Sequence, residues 1–133
     1  MQIIEVSAGL VFLDGKLLIT QRRSQDHLGG LWEFPGGKRE CDESDEACLR
    51  RELMEELGIE VEVLELIESI RHDYPEKSIH LKFFRCALRK GEPSPIGCDA
   101  VAWVTAAELA VYAFPEADSR LIGKLRFSQG FWA

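Results

Sequence analysis

Glu52, Glu55 and Glu56 are spaced so that all three fall on one side of a helix, and a helix face built of carboxylates is suited to holding a cation. The helix itself is written in the flanking residues. Ser44 is a favourable N-cap, Asp45 and Glu46 suit the positive end of a helix dipole, and Gly58 is a natural stop, which together predict a helix over residues 45 to 57. At about 100° per residue, Leu49, Leu53 and Leu57 form one apolar stripe and the glutamates occupy an adjoining arc of roughly 100°. Like charges at i, i+3 and i+4 repel one another, a cost that a cation among them removes. Mg²⁺ meets that need: it takes oxygen ligands, keeps several waters and commonly joins one or two carboxylates to a substrate's phosphates. The plain alternative is a solvated acidic face.

The surrounding spacing favours the metal. From Gly37 the chain reads Glu43, Arg51-Glu52-Leu53, Glu55-Glu56 and Gly58-Ile59, nine specified positions over 23 residues. This resembles, at every fixed position, the G-x5-E-x7-R-E-U-x-E-E-x-G-U signature of the Nudix hydrolases, where U is a bulky aliphatic residue. Trp32-Glu33-Phe34-Pro35-Gly36-Gly37-Lys38 upstream and the segment from Ala117 to Leu125 downstream resemble the MutT branch of that family, so the similarity covers nearly the whole chain.

The resemblance implies a fold, an activity and a set of roles. The fold would be α+β, a Nudix-type α/β/α sandwich with a mixed sheet and a strand-loop-helix catalytic unit, residues 1 to 133 forming one domain. Glu52, Glu55 and Glu56 would be catalytic and, with the Gly37 carbonyl, would hold Mg²⁺, with Mn²⁺ as a substitute. Glu43 and Arg51 would be structural, pairing to hold the loop against the helix. Glu33, Phe34, Pro35 and Gly36 would line the nucleotide pocket. Arg22, Arg23 and His27 lie on a polar loop where phosphates could be gripped, Arg22 and His27 being the substrate-binding candidates, and Asp118 would either read the base or cap the helix that follows it. Relatives of this branch commonly place a glutamate where this chain has Gly97, with Asp99 or Glu92 as candidate replacements, which leaves the general base open between Glu52 and another carboxylate.

The implied reaction is hydrolysis of 8-oxo-dGTP to the monophosphate and pyrophosphate. A second reading keeps the chemistry and makes the base cytosine, as in CTP pyrophosphohydrolases. A non-catalytic nucleotide sensor of the same fold normally carries a decayed glutamate set, whereas this one is complete. ADP-sugar and NADH hydrolases usually carry extra elements for which a chain of 133 residues has little room.

Composition narrows the partners. Sixteen basic and 23 acidic residues give a net charge of −7, which argues against duplex nucleic acid or an anionic membrane. The same charge would repel a polyphosphate, a conflict that cations bound at the glutamate face resolve by reversing the local sign. An apolar content of 46% suffices for a packed core. Cys41, Cys48, Cys86 and Cys98 lack zinc-site spacing and read as reduced buried thiols. With no signal peptide and no apolar run of membrane-spanning length, the expected product is a soluble cytoplasmic protein, monomeric or homodimeric.

The remaining elements must position these groups. Residues 3 to 12 and 17 to 20 read as a hairpin around Asp14-Gly15, and residues 22 to 31 as a loop. Residues 32 to 37 read as a short strand running into the glycine pair. Residues 61 to 72 and 78 to 89 form a second strand pair in which Phe83 and Phe84 face opposite sides, and 101 to 104 a last strand. Thr105 and Glu108 predict a capping box for a short helix to about Val111, and Asp118 is placed to cap another to about Arg126. The aromatic tail, 127 to 133, either docks or frays.

Overall fold

The Asp14-Gly15 turn closes the expected hairpin between β1 (Gln2–Leu13) and β2 (Lys16–Gln21), with both turn residues at positive φ. The computed structural model describes residues 2 to 132, so Met1 and Ala133 of the expected 1 to 133 domain lie outside the described residues. β3 (Trp32–Glu33), β4 (Gly36–Lys38), α1 (Asp45–Leu57), β5 (Glu60–Asp73), β6 (Lys77–Lys90), β7 (Ala100–Val104), α2 (Ala106–Leu109) and α3 (Ser119–Arg126) follow.

β1 organises the sheet. It runs parallel to β6 from Gln2 to Val11 along one edge, and on the other it pairs antiparallel with β4 and then with β2. β5 pairs with β6, and β2 also carries β3 and β7, so the sheet is mixed.

Alternation along the strands gives this sheet two apolar faces. Phe83, Ala8 and Leu10 pack with Leu109, Leu121 and Leu125 of α2 and α3, whereas Phe84, Val11 and Cys86 pack with Leu49, Leu53 and Leu57 of α1. Helices cover both sides, and the result is the α/β/α sandwich. The three α1 leucines are fully buried; at about 25 cal/mol per Å² of apolar area, each contributes on the order of 2 kcal/mol to holding the glutamate helix on the sheet.

Four local features depart from or complete the sequence reading. Residues 32 to 37 are not one strand. Phe34-Pro35 breaks the run, the Pro35 carbonyl accepts from Gly9 N–H at 2.7 Å, and β4 begins only at Gly36, where a side chain would meet the Ser7 carbonyl and the Ala8 Cα. The capping box of α2 forms as expected, but the helix ends at Leu109 and Val111 is solvent-exposed. Cys41 is exposed, unlike the other three thiols; it lies in the loop before α1, away from either core. The described part of the tail docks: Trp132 packs edge-on against Phe12 at 5.2 Å and donates from Nε1 to the Leu125 carbonyl at 2.7 Å. No described helix is long and apolar enough to cross a membrane.

Candidate active site

The glutamate helix begins and ends where its caps dictate. Ser44 Oγ accepts from Ala47 N–H at 3.0 Å, and Gly58 takes a left-handed conformation with its N–H turned back to the last turn. Between these ends, Arg51 ties helix to loop. Its Nε and Nη2 donate to both oxygens of Glu43 at 2.7 and 3.0 Å, and Nη2 also donates to the Lys38 carbonyl at 3.1 Å. This fork holds the Glu43 carboxyl down at about 2. Nη1 faces the other way and bridges Glu52 and Glu55 at 2.9 and 2.8 Å.

Gly37 brings the loop to the helix. A Cβ on this residue would lie 2.7 Å from Glu52 Oε1, so only glycine lets the β4 backbone approach that carboxylate. The Gly37 carbonyl itself accepts a weak bond from the Cys48 thiol at 3.5 Å.

Glu56 has the most perturbed carboxyl of the three. Burial, aided by the negative charges of Glu33 and Glu52, pushes it up to about 8 against the opposing pull of Arg22 and Arg23. Glu52 is also raised, first by burial. Glu55 is more than half exposed and sits at the rim.

Beside this face opens a cavity of about 640 Å³. Arg22, His27, Glu33, Phe34, Gly36, Gly37 and Asp118 all line it. Pro35 does not, its carbonyl being bonded to β1, and none of the three glutamates walls it: Glu52 lies against Gly37 and Glu56 near enough to Glu33 to feel its charge, both of these being lining residues. Arg22 is held by two contacts, Nη1 to Glu33 at 3.0 Å and Nε to the His27 carbonyl at 2.7 Å. Glu33 is raised, chiefly by burial and in spite of Arg22.

Asp118 is 7% exposed, and its side chain makes no cap bond to α3. Burial, with Glu33 adding, pushes its carboxyl up to about 6. Of the two roles open to it, capping is therefore not the one this geometry shows.

Tyr74 and Lys77 also line the cavity, together with Ile79 and Leu81 of β6. The sequence reading missed them. The two aliphatics lie on the Phe83 side of the β6 alternation, a signal that reads equally well as core. Tyr74 and Lys77 flank the β5–β6 turn, which the Tyr74 N–H closes by donating to the Lys77 carbonyl at 2.7 Å.

The donor set fits a hard divalent cation. Glu52, Glu56 and the Gly37 carbonyl offer oxygen only, and burial holds two of these carboxylates above their ordinary range, an arrangement that a cation would relieve. Among the described residues no three acidic, His or Cys side chains converge closely enough to enclose an ion. The Arg51 guanidinium already places a positive group between Glu52 and Glu55.

The NUDIX domain model matches residues 7 to 124. The chain belongs to the Nudix hydrolase family. Over 122 residues it is 39% identical to a CTP pyrophosphohydrolase of Escherichia coli K12, covering 92% of this chain and 90% of that one. It is 41% identical over 90 residues to an 8-oxo-dGTP diphosphatase of Proteus vulgaris, covering 67% of this chain and 80% of the relative. The solution structure of the Escherichia coli ORF135 protein superposes with a TM-score of 0.81 at 38% identity, covering 94% of this chain and 89% of that one. By class this Nudix hydrolase is a nucleotide pyrophosphohydrolase, and hydrolases of the family generally work with a divalent metal.

Proposed function

We propose that this Nudix hydrolase, with residues 1 to 133 as one domain, is a Mg²⁺-dependent nucleoside triphosphate diphosphatase that cleaves 8-oxo-dGTP to 8-oxo-dGMP and pyrophosphate. Mn²⁺ is the expected substitute. The observation that carries it is the buried carboxyl of Asp118 in the wall of the cavity shared with Arg22 and Gly37. In this reading Asp118 would meet the base and Arg22 the phosphates within one space, with Gly37 linking it to the glutamate face.

Each side chain has a defined task. Phe34 and Leu81 offer apolar surface to the base, and Asp118, when ionised, accepts from donors such as the N1–H and amino group of a guanine. Arg22, oriented by Glu33 and the His27 carbonyl, meets the phosphates. Glu52, Glu56 and the Gly37 carbonyl would hold the metal, Glu55 would support it from the rim, and Arg51 with Glu43 keeps that set in register. When bound, the metal neutralises charge on the phosphates and polarises the phosphorus for attack. Water adds to the inner, β-phosphorus, the bond from that phosphorus to the α-bridging oxygen breaks, and the solvent oxygen leaves in pyrophosphate.

The second reading makes cytosine the base. It draws on the similarity to the CTP pyrophosphohydrolase and on the ability of an ionised Asp118 to accept from the cytosine amino group. The test is kcat/KM with Mg²⁺ across 8-oxo-dGTP, dGTP, CTP, dCTP, ADP-ribose and NADH. Pyrophosphate release with 8-oxo-dGTP preferred supports the first reading, preference for CTP or dCTP supports the second, and turnover of ADP-ribose or NADH alone rejects both.

A further inference from the structure

Two loops that carry none of the three helix glutamates meet at the C-terminal end of α1. The β6–β7 connection folds back over the helix: Ser94 N–H donates to the Leu57 carbonyl at 3.0 Å, and the N–H groups of Ile96 and Gly97 both donate to the Glu56 carbonyl, at 3.2 and 2.9 Å. Carbonyls of a last helical turn lack intrahelical donors, so these contacts satisfy groups that would otherwise be open. The same connection is tied to the arginine loop between β2 and β3. Arg23 Nη2 donates to the Ile96 carbonyl at 3.1 Å, Ser24 N–H donates to Asp99 Oδ2 at 3.2 Å, and Asp99 N–H donates to the Gln21 carbonyl at 2.9 Å.

Gly97 is the point of closest approach. A Cβ there would lie 3.1 Å from Cγ and 3.2 Å from Cα of Glu56, so any side chain at this position presses on that glutamate. Asp99, one candidate to replace the glutamate that relatives place at Gly97, is instead engaged with Ser24.

We propose that residues 94 to 99 form a positioning strap that fixes Glu56 relative to the arginine loop, with Arg23 as its latch and Gly97 as its contact. This rests on Glu56 being a metal ligand. Arg23 and Gly97 are positioning residues: both act through Glu56.

The test is Mn²⁺ affinity measured without nucleotide by electron paramagnetic resonance, alongside kcat, KM and Tm, for Arg23→Ala, Arg23→Lys, Gly97→Ala, the Arg23→Ala/Gly97→Ala double variant and Glu56→Gln. Arg23→Ala, which removes one exposed hydrogen bond, and Gly97→Ala, whose methyl presses on Glu56, should each weaken Mn²⁺ binding by roughly threefold to tenfold and lower kcat while KM moves less than about twofold. Arg23→Lys should recover most of the loss. The double variant should be little worse than the more severe single one, because both act through one strap. Additive losses, or a lower Tm with Mn²⁺ affinity intact, would overturn the strap. A raised KM with unchanged Mn²⁺ affinity would place Arg23 on the phosphates and overturn it too. Glu56→Gln separates the two levels: unchanged Mn²⁺ affinity in that variant removes the ligand role itself, whereas lost affinity there with neutral strap variants removes the strap alone.

Discussion

The carboxylate of Glu52 lies against the backbone of Gly37, with Oε1 only 2.7 Å from the position a Cβ on that glycine would take. The backbone of β4 and the α1 carboxylate are thereby brought into direct contact.

Gly37→Ala should force Glu52 out of place with little change to the cores, since neither core cluster includes Gly37. The expected outcome is a loss of tenfold or more in kcat/KM, about 1.4 kcal/mol, with a parallel loss of Mn²⁺ affinity. Retained affinity and turnover would show that the contact is incidental.

Asp118→Asn should change stability in a pH-dependent way. The folded-state value of about 6 lies above the ordinary aspartate value of 3.8, so between these the unfolded chain binds fewer protons and stability falls as pH rises through the window. Removing the charge should therefore stabilise the metal-free protein by about 3 kcal/mol at pH 8 and by only about 0.5 kcal/mol at pH 4. Urea unfolding at the two pH values measures this, and an equal change at both would contradict a buried, raised carboxyl.

Trp132→Ala should cost about 2 kcal/mol in urea unfolding, less than a fully buried tryptophan because the site is half-buried. Phe127→Ser, at a residue 81% exposed, should stay within about 0.5 kcal/mol. Equal effects at the two positions would mean that the tail does not dock as described.

What was legible in the sequence was what local chemistry decides. α1 runs over the residues expected because Ser44 and Gly58 are caps with strong local preferences, and Phe83 and Phe84 divide between two cores because a strand alternates. Pairing of Arg51 with Glu43 followed from the family resemblance and is present as a two-pronged contact. The split of residues 32 to 37 into β3 and β4 depends on which strand claims each half, a long-range matter that a Pro-Gly-Gly run does not reveal. Tyr74, Lys77 and the strap contacts of Gly97 arise from loops meeting across the fold. Asp118 carried two readings because a short acidic residue is a common helix cap and can also accept hydrogen bonds from a base, and its burial without a cap bond speaks against the cap.

Metal-dependent hydrolysis on the α1 glutamate face is tested most directly by steady-state kinetics of Glu56→Gln with 8-oxo-dGTP and saturating Mg²⁺, beside a Glu60→Gln control just past the Gly58 stop. The substitution keeps shape and removes charge. Glu56→Gln should lower kcat by on the order of a hundredfold, about 2.7 kcal/mol of barrier, with the circular dichroism spectrum unchanged and Glu60→Gln near wild type. Wild-type turnover by Glu56→Gln, or an equal loss in both variants, would contradict a metal held on this face.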